Sequence, residues 1–341
     1  MIRRVTGLIL GLCFSVAVFG ATAEDVLFPV PFENLSGNSD FQWLSRSFSV
    51  AFADLLDVPG LRIVGTDEQE AVFARIGMNA GDTLTRAAEI RVAEAAQANL
   101  LLSGTFEISP DGKGGATVAI AAWLIDLREG RKKPFNLSGP LSELQSMQGL
   151  LAWSILYDRD PALPYSQEQF KRRARMIPAR AFEFYIKGLQ ASDEKSREIF
   201  LKRAIREFNE AETVGHYANA IYQLGMLKYR TKNYLEAAAT FRDLIPDDPR
   251  YLESRFFMGL SLNFLGQTGD SAAAFQQIAD TVPLVEFLNN AGALLAAREE
   301  FSLSLTYLQR AALSAVRDGD IRFNYGYALW KNKIYDAAIN E

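Results

Sequence analysis

Leu224-Gly225-Met226-Leu227-Lys228-Tyr229 and Met258-Gly259-Leu260-Ser261-Leu262-Asn263 decide the fold of this chain. Their glycines lie 34 residues apart, and Phe241 with Phe275 and Pro249 with Pro283 keep the same offset. Gly292 and Gly326 continue the series after a one-residue slip. Around each glycine the apolar residues recur at steps of three and four, which is the spacing of an amphipathic helix. The segments Ala237 to Phe241 and Ser271 to Phe275 then read as part of a second helix. A period of this length built from two short helices specifies hairpins that stack, because one hairpin cannot bury its own apolar face. The glycine lets the two helices approach closely, and the alanine and phenylalanine of the second helix fill the space between neighbours.

The known pattern W-x2-L-G-x2-Y, A-x3-F, P provides a test. The second repeat supplies Ile221, Leu224, Gly225 and Lys228, then Ala237, Phe241 and Pro249. The third supplies Met258, Gly259, Leu262, Ser271, Phe275 and Pro283. A fourth keeps Gly292, Leu295, Ser304, Leu308 and Ala311, and a fifth begins with Gly326, Leu329 and Ala338. Upstream, Gly188, Ala204, Phe208 and Ala211 read as a first repeat whose inter-helix turn is about four residues longer. Residues 179–341 thus resemble a tetratricopeptide-repeat α-solenoid of about five repeats. The resemblance implies a protein or peptide partner bound along a groove. The sequence stops at Glu341 inside the last helix, so a longer chain is expected to be more stable, since terminal repeats carry a polar cap.

In the first helix of a repeat, positions −3, +1, +4 and +5 from the glycine share one face, opposite the packing positions −4, −1 and +3. They read Tyr222, Met226, Tyr229 and Arg230, then Phe256, Leu260, Asn263 and Phe264. The next sets are Asn289, Ala293, Ala296 and Ala297, then Phe323, Tyr327, Trp330 and Lys331. Aromatic side chains and Arg anchor interfaces because they bury a large area with few rotors lost. These residues are therefore the expected partner-binding groove, the other reading being that they pack within the protein.

The amino terminus carries a different message. Arg3 and Arg4, the apolar run Leu8 to Phe19, and Ala21-Thr22-Ala23 form an export signal, with cleavage expected after Ala23 and a periplasmic destination. An uncleaved anchor is the alternative. Cys13 is the one cysteine and lies in that run behind Leu12, which is too large for a lipoprotein signal, so no disulfide or thiol chemistry is expected in the mature chain. Net charge is −5, which argues against nucleic acid as partner, since phosphate binding needs clustered Lys and Arg. The single basic cluster, Lys171-Arg172-Arg173-Ala174-Arg175, lies in a linker or the first turn of a connecting helix and reads as a solvated inter-domain face, with peripheral membrane contact through anionic lipid, or an acidic partner, as the second reading.

Between signal and repeats, residues 24–158 read as a small α/β domain, with 159–178 as a linker. Val26 to Phe32 is an apolar strand, and Asn34-Leu35-Ser36-Gly37-Asn38 is turn chemistry. Helices follow from Trp43 to Leu56, from Thr66 to about Gly77, and from Leu84 to Ala98. Leu61 to Val64 is a strand. Leu100 to Phe106 and Thr117 to Leu127 form a hairpin about Asp111-Gly112-Lys113-Gly114-Gly115, and Leu141 to Leu156 closes the domain as a helix. A mixed sheet covered by helices is expected, so the chain is α/β plus all-α.

Four strings in this domain carry a second resemblance. Pro31-Phe32-Glu33-Asn34-Leu35-Ser36-Gly37, Val58-Pro59-Gly60-Leu61-Arg62-Ile63-Val64, Leu101-Leu102-Ser103-Gly104-Thr105-Phe106 and Trp123-Leu124-Ile125-Asp126-Leu127 are similar to the TolB amino-terminal-type domain. That resemblance implies a non-catalytic accessory module, commonly periplasmic and often fused to tetratricopeptide repeats.

Catalytic motifs are scarce. One histidine, His216, cannot supply a zinc triad and reads as a partly exposed turn residue, so neither metal nor cofactor is expected. Gly112-Lys113-Gly114-Gly115 lacks the spacing of a phosphate loop. Asn34-Leu35-Ser36 and Asn136-Leu137-Ser138 match a glycosylation sequon but sit in turn-like strings. The expected function is an exported, non-enzymatic adaptor that binds a protein or peptide. A second reading makes the chain a regulatory or sensing subunit whose α/β domain binds a ligand and whose solenoid contacts a signalling partner, and a polar pocket in that domain would favour it. A carboxylate hydrolase would need clustered acids in a cleft.

Overall fold

The computed structural model describes residues 25–79, 82–112, 114–211 and 213–341. The expected export signal, residues 1–23, and with it Cys13, lies outside the described residues. The chain divides into two compact units, one reaching to Thr213 and the other spanning Val214–Glu341.

In the first unit the strands are β1 (Asp25–Pro29), β2 (Glu33–Asn34), β3 (Leu61–Ile63), β4 (Leu100–Pro110), β5 (Ala116–Asp126) and β6 (Arg131–Pro140). Their order is β3-β1-β4-β5-β6, with β2 also pairing β4. β1 runs parallel to β3 and β4, whereas β4, β5 and β6 are antiparallel, so the sheet is mixed as expected. Side chains alternate across a strand, and here this yields two cores. Leu27, Leu102 and Ile120 face α1 (Trp43–Leu55) and α4 (Leu144–Arg159), where Phe32 stacks on Phe48 at 4.5 Å. Phe28, Val30 and Leu101 face α2 (Thr66–Arg75) and α3 (Arg86–Ala95).

Three features depart from the sequence reading. The β4–β5 hairpin closes where expected, with Gly115 N–H donating to Asp111 Oδ1 at 2.8 Å, but Arg131–Pro140 is a third long strand. Asn136-Leu137-Ser138 therefore lies in a strand. Its prolines and lysines hide the alternation, and they are tolerated because β6 is an edge strand. The expected linker contains helix α5 (Gln167–Ala174), started by a capping box between Ser166 and Gln169. α5 docks so tightly on α4 that a Cβ on Gly149 would lie 2.6 Å from the Phe170 carbonyl oxygen. The basic cluster is partly engaged there, because Arg173 donates to the Asp54 carbonyl at 2.6 Å and Lys171 pairs with Glu168 at 2.8 Å.

The third departure concerns the first helical pair, α6 (Ala179–Gln190) and α7 (Glu194–Glu210), which belongs to the first unit. Its turn, residues 191–193, is no longer than those of the repeats downstream. Gly188 meets Leu201 rather than Phe208. Reading Phe208 as the partner of Gly188 therefore inserted four residues that the turn does not contain.

Asp25 ties several parts of this unit together. Its carboxylate accepts from Asn99 at 2.8 Å, Arg128 at 2.7 Å and Arg159 at 2.7 Å. Burial alone would raise its pKa, but the bonds from Arg159, Asn99 and Arg128 hold it below the ordinary aspartate value. A depressed carboxylate pKa stabilises the fold above the unfolded-state value of about 3.9 and loses that contribution as pH falls through the folded-state value. Asp25→Asn is expected to cost about 1 kcal/mol at neutral pH, with the deficit vanishing in acid. Thermal melts of both proteins from pH 7 down to about 3 check this.

The second unit consists of α8 (Ala218–Arg230), α9 (Tyr234–Arg242), α10 (Tyr251–Phe264), α11 (Thr268–Thr281), α12 (Val285–Ala297), α13 (Phe301–Ser314), α14 (Gly319–Lys331) and α15 (Tyr335–Asn340). The repeat is visible atom by atom. Seven residues after each repeat glycine the backbone turns left-handed, at Lys232, Gly266, Glu299 and Lys333 with φ of 61, 75, 66 and 65°. The next amide returns to the helix in every case: Asn233 to Lys228 O, Gln267 to Leu262 O, Glu300 to Leu295 O and Ile334 to Leu329 O, at 2.9–3.0 Å. This is the Schellman closure of a helix C-terminus. Ser271 and Ser304, standing where the second repeat has Ala237, donate to the carbonyls of Gly259 and Gly292 at 2.7 and 2.8 Å. A Cβ on Gly259 would sit 2.7 Å from the Phe275 ring, and one on Gly292 would sit 2.5 Å from Leu308. The glycines are thus required by close approach.

Only one of the four left-handed positions is glycine. L-residues there cost roughly 1–2 kcal/mol, offset in part by the extra unfolded-state entropy that glycine brings. Glu299→Gly is therefore expected to stabilise the repeats by about 0.5 kcal/mol. An increase in the urea midpoint at unchanged m-value is the expected result.

Candidate functional site

The helical pairs present their first helices, α8, α10, α12 and α14, as a layer in which α8 touches α10 and α12 touches α14. Across that layer the four predicted face positions behave differently. Position −3 turns inward in three repeats: Tyr222, Phe256 and Asn289 are buried, and only Phe323 is open. At position +1, Leu260 is buried, Met226 is half-buried and Tyr327 is exposed. Tyr229 and Asn263 at +4 are half-buried, whereas Trp330 is 52 % exposed. At +5, Arg230, Phe264, Ala297 and Lys331 are all exposed.

Tyr222, Phe256, Leu260 and Asn289 are therefore corrected from groove to interior. The reason is that a first helix of a solenoid touches its own partner helix and both neighbouring repeats, so more than half its circumference is covered. Phe256 meets Phe275 edge-on at 5.6 Å and Phe287 at 5.7 Å. Tyr222 lies 6.1 Å from Phe241, beneath the guanidinium of Arg250. Asn289 accepts from Asn324 of the next repeat at 3.0 Å.

What remains open forms two aromatic platforms. Phe264 stacks on Tyr234 at 4.5 Å, with Tyr229 at 6.2 Å and Phe257 behind Tyr229 at 5.3 Å. Burial pushes the Tyr229 hydroxyl pKa up. Tyr234 belongs to the second helix and was missed, because a scan of first-helix faces excludes the residue that opens the next helix. The other platform is on α14, where Tyr327 and Trp330 lie 6.1 Å apart and Lys331 sits within 5.7 Å of the rings of Phe301, Tyr327 and Trp330. Between the platforms the α12 face positions offer only the half-buried Ala293 and the exposed Ala297, a low step, since Ala296 is buried. Phe264 has repeats on both sides, so its 46 % exposure belongs to this face itself.

The first unit holds a polar cleft of about 400 Å³, where the α3 N-terminus meets β4 and β5. Thr85 caps α3 by accepting from Ala88 N–H at 3.3 Å. One turn on, Glu89 is 7 % exposed, accepts from the Ser103 hydroxyl at 2.7 Å and pairs with Arg86. Arg86 also reaches the Ser103 oxygen at 3.2 Å. Burial pushes the Glu89 carboxyl above the usual carboxylate range, against the opposing pull of Ser103 and Arg86. Pro31, Glu33, Thr83, Leu84, Gly104, Thr105 and Trp123 complete the wall.

His216 lies with Nδ1 3.1 Å from the Asp248 carboxylate and is about one-third exposed, as expected of a turn residue. Among the described residues no group of three or more His, Cys, Asp or Glu could hold a metal ion, and no helix is long and apolar enough to cross a membrane.

No family model matches the chain. No curated protein matches it. Solved structures similar to it include the MamA RS-1 ArsTM double mutant, 14% identical over 48% of this chain and 91% of that one, with TM-score 0.42. MamA from Desulfovibrio magneticus RS-1, residues 41 to the end, is 13% identical over 48% and 92%, with TM-score 0.40. The APC/C hetero-tetramer Cut9-Hcn1 is 13% identical over 57% of this chain and 42% of that one, with TM-score 0.34. At these scores the likeness bears on no residue of this chain.

Proposed function

We propose that the chain is an exported, non-enzymatic scaffold of the bacterial envelope that holds a protein or peptide partner against the first-helix layer of its repeats. The observation that carries this reading is Phe264, an exposed aromatic on a helix, stacked on Tyr234 and flanked by further repeats. Aromatic side chains already held by a neighbour lose little entropy on binding, which is what makes such residues hot spots. Arg230 and Lys331, exposed at the same repeat position, favour acidic residues in the partner. Selection of a displayed random-peptide library on the full chain tests the reading. Enriched peptides should carry aromatic or aliphatic anchors beside acids, and failure to enrich any sequence would count against it.

The polar cleft favours a second reading, a sensing subunit whose α/β unit binds a small ligand. The cleft is of the size that small-molecule sites occupy, roughly 300–1,000 Å³. A carboxylate hydrolase is not favoured, since the buried Glu89 is engaged by Arg86 and Ser103.

A further inference from the structure

We infer that the cleft between α3 and the β4–β5 ribbon is a binding site for a neutral sugar. The inference rests on the ligand-binding reading of the first unit and names the class of ligand. Its strongest support is the Ser103 hydroxyl. Arg86 can only donate hydrogen bonds and an ionised Glu89 can only accept them. Ser103 stands between the two, accepting from Arg86 at 3.2 Å and donating to Glu89 at 2.7 Å. The pair thus already holds one neutral hydroxyl in the way that it would hold another. Each carboxylate oxygen has a second lone pair and the guanidinium has further N–H groups, so capacity remains for a ligand hydroxyl that both donates and accepts.

Charge balance selects against ions. The wall carries the carboxylates of Glu33 and Glu89 and the guanidinium of Arg86, and Lys132, over the Trp123 ring outside that wall, adds a second positive charge that acts on Glu89. An anion would meet the two carboxylates, and a cation would meet the Arg86 guanidinium. A neutral ligand avoids both repulsions. The remaining wall fits a polyol ring, since Thr83 and Thr105 add hydroxyls and Trp123 adds a flat apolar surface. Lys132 Nζ lies 4.0 Å over one face of the indole. Small-molecule sites are ordinarily mostly apolar, with a few polar groups fixing orientation. This cleft reverses that proportion, and so does a sugar, whose faces are apolar but whose rim is all hydroxyl.

The test uses the full chain labelled with 5-fluorotryptophan. The four tryptophans give four fluorine resonances, and the Trp123→Phe protein assigns one of them. Glucose, galactose, N-acetylglucosamine and cellobiose are titrated to about 50 mM, with glucosamine, glucuronate and glucose 6-phosphate as charged comparators. At least one neutral sugar should shift the Trp123 resonance and leave the other three unmoved, with the charged relatives binding about tenfold more weakly. Thr105→Val, which keeps the side-chain shape, should weaken that sugar several-fold while the thermal melt stays unchanged. A charged comparator that shifts Trp123 in preference to every neutral sugar would overturn the sugar assignment and leave the ligand-binding reading standing. No shift by any compound would overturn both.

Discussion

Phe256→Ala is expected to lower the stability of the repeat unit by about 3–5 kcal/mol, the range for removing a buried aromatic side chain. Phe256 is 6 % exposed and sits among Phe257, Phe275 and Phe287, with centroids 5.4–5.7 Å away. These rings belong to α10, α11 and α12, so one truncation opens a void at the junction of two repeats. Stability in a solenoid is a sum of repeat and neighbour terms, and loss of a junction uncouples the array. Urea unfolding followed by circular dichroism should show a large fall in midpoint, together with a broader or split transition. A protein that keeps its midpoint would put Phe256 on the surface and restore it to the binding face.

The period, the glycines and their aromatic partners were legible because close helix approach demands particular residue sizes at fixed spacing. Gly225 against Phe241, Gly259 against Phe275 and Gly292 against Leu308 are contacts that the sequence pattern names. The strands of the first unit were legible wherever alternation was clean, as in Thr117 to Leu127. β6 was not, because Lys132, Lys133 and Pro134 obey the needs of an edge strand instead of a buried face. The binding face was legible only in part. A helical wheel gives directions around one helix, whereas burial depends on how many neighbours press on it, and that number is set by stacking. Position −3 is inward wherever a following repeat packs over it, as at Tyr222 and Phe256, so the same spacing gave opposite environments for Phe256 and Phe323. The cleft was unreadable, since Glu89, Ser103 and Trp123 come from α3, β4 and β5 and meet only through strand register.

Partner binding by the repeats would fall on the two exposed platforms. For a peptide selected on the full chain, Phe264→Ala and Trp330→Ala are each expected to weaken binding by about 2 kcal/mol, roughly thirtyfold in Kd, the scale of an interface hot spot. Both residues are about half exposed. Their removal should therefore cost about 1 kcal/mol of stability or less, well short of the loss at Phe256. Phe264 is also stacked on Tyr234 at 4.5 Å, and its variant should show the larger of the two stability changes. The decisive measurement is isothermal titration calorimetry of one selected peptide against the wild type and these two variants, each verified as folded by its urea midpoint. Thirtyfold weakening with the midpoint nearly unchanged is the predicted result, and unchanged affinity in both folded variants would contradict the account.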